Sequence, residues 1–227
     1  PLGIKVTENI KEIVRNCMNE TGATEVAMPS LIPLEILEKT GRAENFGCSM
    51  FSLRDRANRR YALGPTHEEL FTLVSFNKVR SYKDLPYTIY QIGTKFRDEM
   101  RPRLGLIRTR EFTMKDSYSF DADLDGLSES YNKMFEAYKK VFETVGLDFV
   151  IVRADTGVMG GLLSEEFQAI SETGEDILVL CDSCDYASNI EISKNVVSEK
   201  ENIEEKELEL VATPNHETIE EVCEYLS

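Results

Sequence analysis

Apolar residues recur every three or four positions over residues 3–21, where Ile4, Ile10, Ile13, Val14, Cys17 and Met18 fall near one side of a helix. Gly22 follows where a glycine commonly closes a helix. The run Glu25-Val26-Ala27-Met28 reads as a short strand stopped by Pro29, and residues 33–39 read as a short helix ending near Gly41. Residues 50–53 and 60–63 flank a charged, turn-rich stretch in the manner of a hairpin. Gly64-Pro65-Thr66-His67-Glu68-Glu69 predicts a turn into a helix that runs to about Arg80. Pro65 breaks the strand before it, Thr66 suits the helix cap, and Glu68 and Glu69 suit the positive helix end. Residues 88–97 read as a long strand, Pro102 and Gly105 mark a loop, and 107–114 returns as a second strand.

Further along, 124–146 has the period of a long helix, with Leu127, Tyr131, Met134, Phe135, Tyr138 and Phe142 on its buried side. Residues 148–154 form a strand, Gly157, Gly160 and Gly161 a tight bend, and 165–171 and 176–181 two more strand-like runs. Hairpin-linked strands with helices set apart predict an α+β fold, a mostly antiparallel sheet flanked by helices.

Composition narrows the class. The chain has 227 residues, 41% hydrophobic and 30% charged, as in a soluble globular protein with a real core. No apolar run approaches the roughly 18 residues of a membrane span. The net charge of −15 argues against a general nucleic-acid coat protein. That charge is uneven. Residues 199–224 carry ten Glu against Lys200 and Lys206, whereas residues 94–115 carry seven Lys or Arg against three acids. A basic island in an acidic chain suits one local anionic ligand, and equally a solvated basic hairpin. Five cysteines without disulfide-framework spacing point to a reducing cytoplasm. The start at Pro1 and the end at Ser227 inside a helical pattern read as a piece of something longer.

The candidate chemistry follows by elimination. There is no phosphate-loop or dinucleotide fingerprint, and His67 and His216 are the only histidines, which disfavours a Ser–His hydrolase or a histidine-rich metal centre. Cys181 and Cys184 form half of a zinc-type spacing, too few ligands to close a tetrahedral site. The basic hairpin remains. Alternate strand residues share a face, so Arg97 and Glu99 project together beside Lys95, and Phe112 joins them if the register suits. A guanidinium, a carboxylate and an aromatic ring suit a nucleotide, and they equally suit a cross-strand salt bridge with Phe112 in the core. Thr66 and Glu68 stay open between a site and simple helix capping.

Phe96-Arg97-x-Glu99, a loop, then Arg108-x-x-x-Phe112-x-x-x-Asp116 resembles motif 2 of the class II aminoacyl-tRNA synthetases. The segment ending Met28-Pro29 resembles motif 1, the dimer-interface segment, and Gly64-Pro65-Thr66-His67-Glu68-Glu69 is similar to the Thr-x-Glu loop of the prolyl-tRNA synthetases. From Pro1 to about Ile192 the chain resembles the N-terminal part of the bacterial-type prolyl-tRNA synthetase family. The resemblance implies a proline–tRNA ligase that uses ATP, with Mg²⁺, to make prolyl-adenylate and charge tRNA(Pro), as a homodimer in the cytoplasm.

It also implies roles. Thr66 and Glu68 would hold the imino group of proline, and Arg97 would bridge the proline carboxylate and the α-phosphate of ATP as the catalytic residue. Glu99 would read the adenine amino group, Phe112 would stack on the ring, and Met114 would wall the amino-acid pocket. Arg101 and Arg103 would meet the tRNA acceptor end. Residues 1–192 would be the catalytic core, and 193–227 an acidic linker and the start of an inserted editing domain, entered near Thr213-Pro214-Asn215. Motif 3, the anticodon-binding domain and the editing residues would lie beyond Ser227. Glu165 stands where the family often has His. The alternative is a non-catalytic synthetase paralogue that binds tRNA or an amino acid as a regulator.

Overall fold

The structure is a computed structural model and describes residues 1–157, 161, 163–194, 209–214 and 218–226. The first helix, α1 (Leu2–Glu20), ends where Gly22 takes φ +86° and donates to Asn19 O at 3.0 Å. Cys17 and Met18 bury its inner side, but Ile4 and Ile10, expected on that side, are 58% and 40% exposed. The packed stretch is confined to the C-terminal half of α1, which lies against Ala137 and Tyr90. Burying side chains of this size contributes about 1.5–3 kcal/mol each.

The expected strand at 25–28 is shorter and earlier, β1 (Thr24–Glu25). A strand that the pattern did not suggest, β2 (Leu31–Pro33), runs into α2 (Leu34–Glu38), and a second short helix, α3 (Arg42–Phe46), follows from Gly41 at φ +73°. The expected hairpin is present as β3 (Ser52–Arg54) and β4 (Arg60–Leu63), with β2 paired to the other side of β4. After the 64–67 turn comes α4 (Glu68–Lys78).

The centre of the fold is the ladder of β5 (Tyr87–Phe96) and β6 (Glu111–Phe120). It is antiparallel in unbroken register from Tyr87↔Phe120 to Phe96↔Glu111, with β1 parallel along the outer side of β5. The returning strand therefore begins at Glu111, not at residue 107. The ladder is spent where β5 ends, so residues 97–110 form the connection, and its tip places Leu104 and Gly105 at φ +57° and +65°. Side chains alternate across the sheet. One face carries Ile89, Gln91, Gly93 and Lys95 opposite Tyr118, Asp116, Met114 and Phe112. Tyr90, on the other face, packs with Cys17 and Met18, and Lys115 there reaches the Tyr138 hydroxyl.

The long helix α5 (Leu124–Val145) starts on Asp123, whose carboxylate accepts from Gly126 N at 2.8 Å, and stops at Gly146, φ +78°. Its buried positions are Ser130 and Ala137, whereas Leu127 and Tyr131 are 45% and 40% exposed. Phe135, Tyr138 and Phe142 instead join rings from β7 (Phe149–Arg153) and β8 (Glu165–Ala169), with Phe167 at the centre and centroids 5.2–5.8 Å apart. β9 (Leu178–Leu180) and β10 (Ala187–Asn189), the latter not expected, complete a separate sheet in the order β8-β7-β10-β9. Antiparallel pairing thus predominates across three sheets rather than one. The chain divides into two compact units, Pro1–Ser193 and Lys194–Ser227. In the second, α6 (Ile219–Leu226) begins with a reciprocal cap between Thr218 and Glu221. Gly160, Asn215 and His216 lie outside the described residues.

Candidate active site

The turn between β4 and α4 is held from several directions. Gly64 donates to Ser30 O at 2.8 Å, and its own carbonyl accepts from Phe96 N at 3.1 Å. A Cβ at Gly64 would stand 2.7 Å from Cε1 of His67, so only glycine lets the buried imidazole fold back over the turn. Thr66 is 3% exposed and its hydroxyl donates to Glu68 Oε2. Thr66 is therefore not the helix cap. His67 occupies that position without a capping side chain, which leaves the Thr66 hydroxyl committed to Glu68. Behind the turn, Glu69 Oε1 accepts from Thr40 Oγ1 at 2.8 Å and Arg42 Nε at 3.1 Å, and Arg42 NH2 lies 4.0 Å from Glu68. Glu68 borders a mainly apolar cavity of about 300 Å³ shaped by Ile36, Thr72 and Leu73.

The sheet face below is polar where a core would be apolar. Lys95 is 0% exposed, with Nζ 2.7 Å from Asp116 Oδ1 and 2.8 Å from His67 Nδ1. Asp116 Oδ2 also accepts from Gln91 Nε2 at 3.2 Å and from the Tyr118 hydroxyl at 2.9 Å. Burial, followed by the Glu68 and Asp116 charges, pushes the Tyr118 phenol far up, so it remains a hydrogen-bond donor. Burial holds both Lys95 and His67 below their usual ranges, with the Lys95 charge adding to the effect on His67.

Arg97 continues this face beyond the end of β5. Its guanidinium approaches Pro65 O at 3.4 Å from both Nε and NH2, and its centre lies 5.4 Å from the Phe112 ring and 5.8 Å from the Phe46 ring. Among the described residues no carboxylate forms an ion pair with it, and burial lowers its pKa against the opposing pull of Glu68. A partly desolvated cation without a counter-ion is a prepared seat for a carboxylate or a phosphate. Beside it opens a cavity of about 370 Å³ lined by Phe46, Ser49, Arg97, Glu99 and Arg108 among others.

Of the residues singled out in the sequence, Thr66, Glu68, Arg97 and Phe112 converge, and Glu99 shares the second cavity with Arg97. Of the cross-strand bridges considered, Arg97 makes none among the described residues, whereas Glu99 pairs with Arg108 and its neighbour Asp98 with Arg110 at 3.2 Å. Glu99 accepts from Arg108 Nε at 2.8 Å and Arg101 N at 3.1 Å, and the Arg108 contact leads in holding its carboxyl below the usual range. Met114 lies on the same face by register, opposite Gly93. Arg101 and Arg103 stand exposed on the loop, with Arg103 Nε 2.5 Å from Glu175. Glu165 faces the other side of the fold and accepts from the Tyr131 hydroxyl. Cys181 and Cys184 are exposed, and the Ser183 amide on Cys181 Sγ leads in lowering that thiol's pKa. No group of three metal-capable side chains occurs among the described residues.

Sequence reasoning missed Arg42 and Phe46, because the helix α3 that carries them went unread. It also passed over Gln91 and the partnership of Lys95 with Asp116, which joins residues on two different strands.

The family described as tRNA synthetase class II core domain (G, H, P, S and T) matches residues 50–212. A proline–tRNA ligase of Thermoanaerobacter sp. (strain X514) is 49% identical over 226 residues, and one of Caldicellulosiruptor bescii is 52% identical over 227. Each alignment covers 100% of this chain and 40% of the relative, so the chain spans about 40% of the length of these relatives. Among solved structures, the Giardia lamblia prolyl-tRNA synthetase in complex with prolyl-adenylate aligns with a TM-score of 0.63 at 24% identity, over 67% of this chain and 32% of that one. That likeness is one of fold.

Proposed function

Because the chain belongs to the class II core domain family of the G, H, P, S and T tRNA synthetases, we propose that it is the activating portion of a proline–tRNA ligase. The observation that carries this reading is the Arg97 guanidinium, half-buried between aromatic rings, without a carboxylate partner among the described residues, and next to the Thr66–Glu68 turn. Relatives near half identity over the whole chain support proline as the amino acid.

In this reading the proline carboxylate attacks the α-phosphorus of ATP, a carboxyl–phosphate anhydride forms, and pyrophosphate leaves. The ribose hydroxyl at the tRNA 3′ end then attacks the proline carbonyl, and AMP leaves. The nucleophile arrives already ionised, so positioning and charge stabilisation carry the rate. Arg97 bridges carboxylate and α-phosphate, Thr66 and Glu68 hold the imino group, and Glu99 and Phe112 take the adenine. Met114 walls the amino-acid pocket, and Arg101 and Arg103 meet the acceptor end. Mg²⁺ enters as part of the ATP substrate. For adenine to bind, Arg108 must release Glu99 or share it.

The catalytic core is residues 1–192, with 193–227 the linker and the beginning of an inserted editing domain. The whole protein works as a homodimer in the cytoplasm, a reading that rests on the family resemblance, with the segment ending Met28-Pro29 at the dimer interface.

The test is proline-dependent ATP–pyrophosphate exchange by the full-length protein, with alanine and cysteine as comparison substrates. Preference for proline supports the reading, and exchange with none of the three overturns it.

A further inference from the structure

His67 takes no part in the chemistry just outlined, yet it is 1% exposed and stands between the two residues that would hold the amino acid. Its Nδ1 lies 2.8 Å from Lys95 Nζ, and that ammonium lies 2.7 Å from Asp116. A paired ammonium has protons to give and no lone pair, so Nδ1 accepts. The ring proton is then on Nε2, which donates to Pro29 O at 3.2 Å. The backbone of His67 is tied as firmly as its ring, because its carbonyl accepts from Phe71 N at 3.0 Å and so starts α4.

We propose that Lys95 and His67 are positioning residues that set the 65–68 turn for the imino acid; the inference rests on the activation reading above. Hydrogen bonds and the Lys95–Asp116 ion pair run from Tyr118 and Gln91 through Asp116, Lys95 and His67 to Pro29. They join β6 and β5 to the turn and to the segment before β2. The groups that would hold the imino acid, Thr66 Oγ1 and the Glu68 carboxylate, belong to the two neighbours of His67 in the chain. An imidazole that is free to rotate or to change tautomer releases the turn at its middle residue. Arg97 loses less, since its own backbone is tied to the returning segment by Arg97 N on Arg110 O at 3.0 Å. The device therefore acts on the amino acid more than on ATP.

The experiment uses the full-length protein and three variants. Lys95→Met keeps the bulk of the side chain and removes the donor. His67→Asn keeps an acceptor near the Nδ1 position, and His67→Ala keeps nothing. Lys95→Met should raise KM for proline about tenfold or more while KM for ATP stays within about twofold. His67→Asn should lie closer to the unaltered protein than His67→Ala does. In ¹⁵N-histidine spectra of the unaltered protein, His67 should show a proton on Nε2 and none on Nδ1. A lower melting temperature with the proline KM unchanged, equal rises in both KM values, or a proton on Nδ1 would each overturn the proposal. If the unaltered protein shows no proline-dependent exchange, the activation reading itself has failed. If it exchanges normally and Lys95→Met leaves the proline KM alone, only the positioning role has failed.

Discussion

The guanidinium of Arg97 lies 5.4 Å from the centroid of Phe112, on the sheet face that also holds Lys95 and Asp116. Phe112 lies in β6 and Arg97 just past the end of β5, and they meet because Lys95 pairs directly with Phe112, which puts residue 97 one pleat further along the same face. A cation–π contact offsets only about 0.5–2 kcal/mol of the cost of desolvating the cation. Pro65 O and the Glu68 charge offset a further part, and a bound anion would offset more.

Replacing Arg97 by alanine should therefore reduce proline-dependent exchange by about 10²-fold or more, as for loss of one pre-placed donor to a transition state. Arg97→Lys should recover little, since a lysine offers a point charge in place of a planar fork. Steady-state exchange on the full-length protein, with folding checked by circular dichroism, measures both. Near-normal exchange by Arg97→Ala would remove Arg97 from the mechanism.

Thr66→Val keeps the shape of the side chain and deletes the hydroxyl that donates to Glu68. A hydrogen bond to a charged group is worth about 1.5–3 kcal/mol, so KM for proline should rise about tenfold or more. KM for ATP is the internal control. A Thr66→Val protein whose proline KM is unchanged would assign the hydroxyl to local structure alone.

The long elements were legible in the sequence, and the short ones were not. α1, α5 and β5 show in their periodicity because each repeats its pattern several times. β2, α3 and β10 have only three to five residues apiece, too few to display a period, and they form because neighbours pair with them. The start of β6 was misread because β-branched Ile107 and Thr109 alternate with charged residues as in a strand, whereas register with β5 decides where pairing begins. The site was legible in the residues that would touch ligand, through family resemblance. The contacts of Lys95 with His67 and with Asp116 join residues 28 and 21 positions apart, and no local pattern announces a contact of that range.

Stability should fall with acid in a particular window. Burial and Lys95 hold the folded His67 below its usual value of 6.5, so the unfolded chain takes up its proton first. The stabilising difference is fully present above that pH and is lost as the pH falls from there toward the folded pKa, by at most about 1.4 kcal/mol per pH unit. Urea midpoints measured between pH 7 and pH 5 should drop, and the drop should shrink in His67→Gln. An equal drop in that variant would place the acid sensitivity elsewhere.

Gly64→Ala puts a methyl group 2.7 Å from the His67 ring. Overpacking of this kind costs about 1–3 kcal/mol, and the strain falls on the turn itself. The variant should melt at a lower temperature and bind proline more weakly, both read on one preparation. Unchanged melting would mean that the imidazole moves aside without cost.

The two-residue repeat of β5 and β6 has a consequence for how such a sequence can vary in length. One face of this ribbon is packed on α1 and α5, and the other is the floor of the proposed site. Adding or deleting one residue within either strand would therefore turn core side chains toward the ligand and ligand-facing side chains into the core in a single step. The 97–110 connection lies past the last rung, where added length costs little beyond loop closure. Insertions and deletions among descendants of this sequence should collect at the tip of that connection, around Leu104 and Gly105, and the strands on either side should keep their residue count even where their residues change.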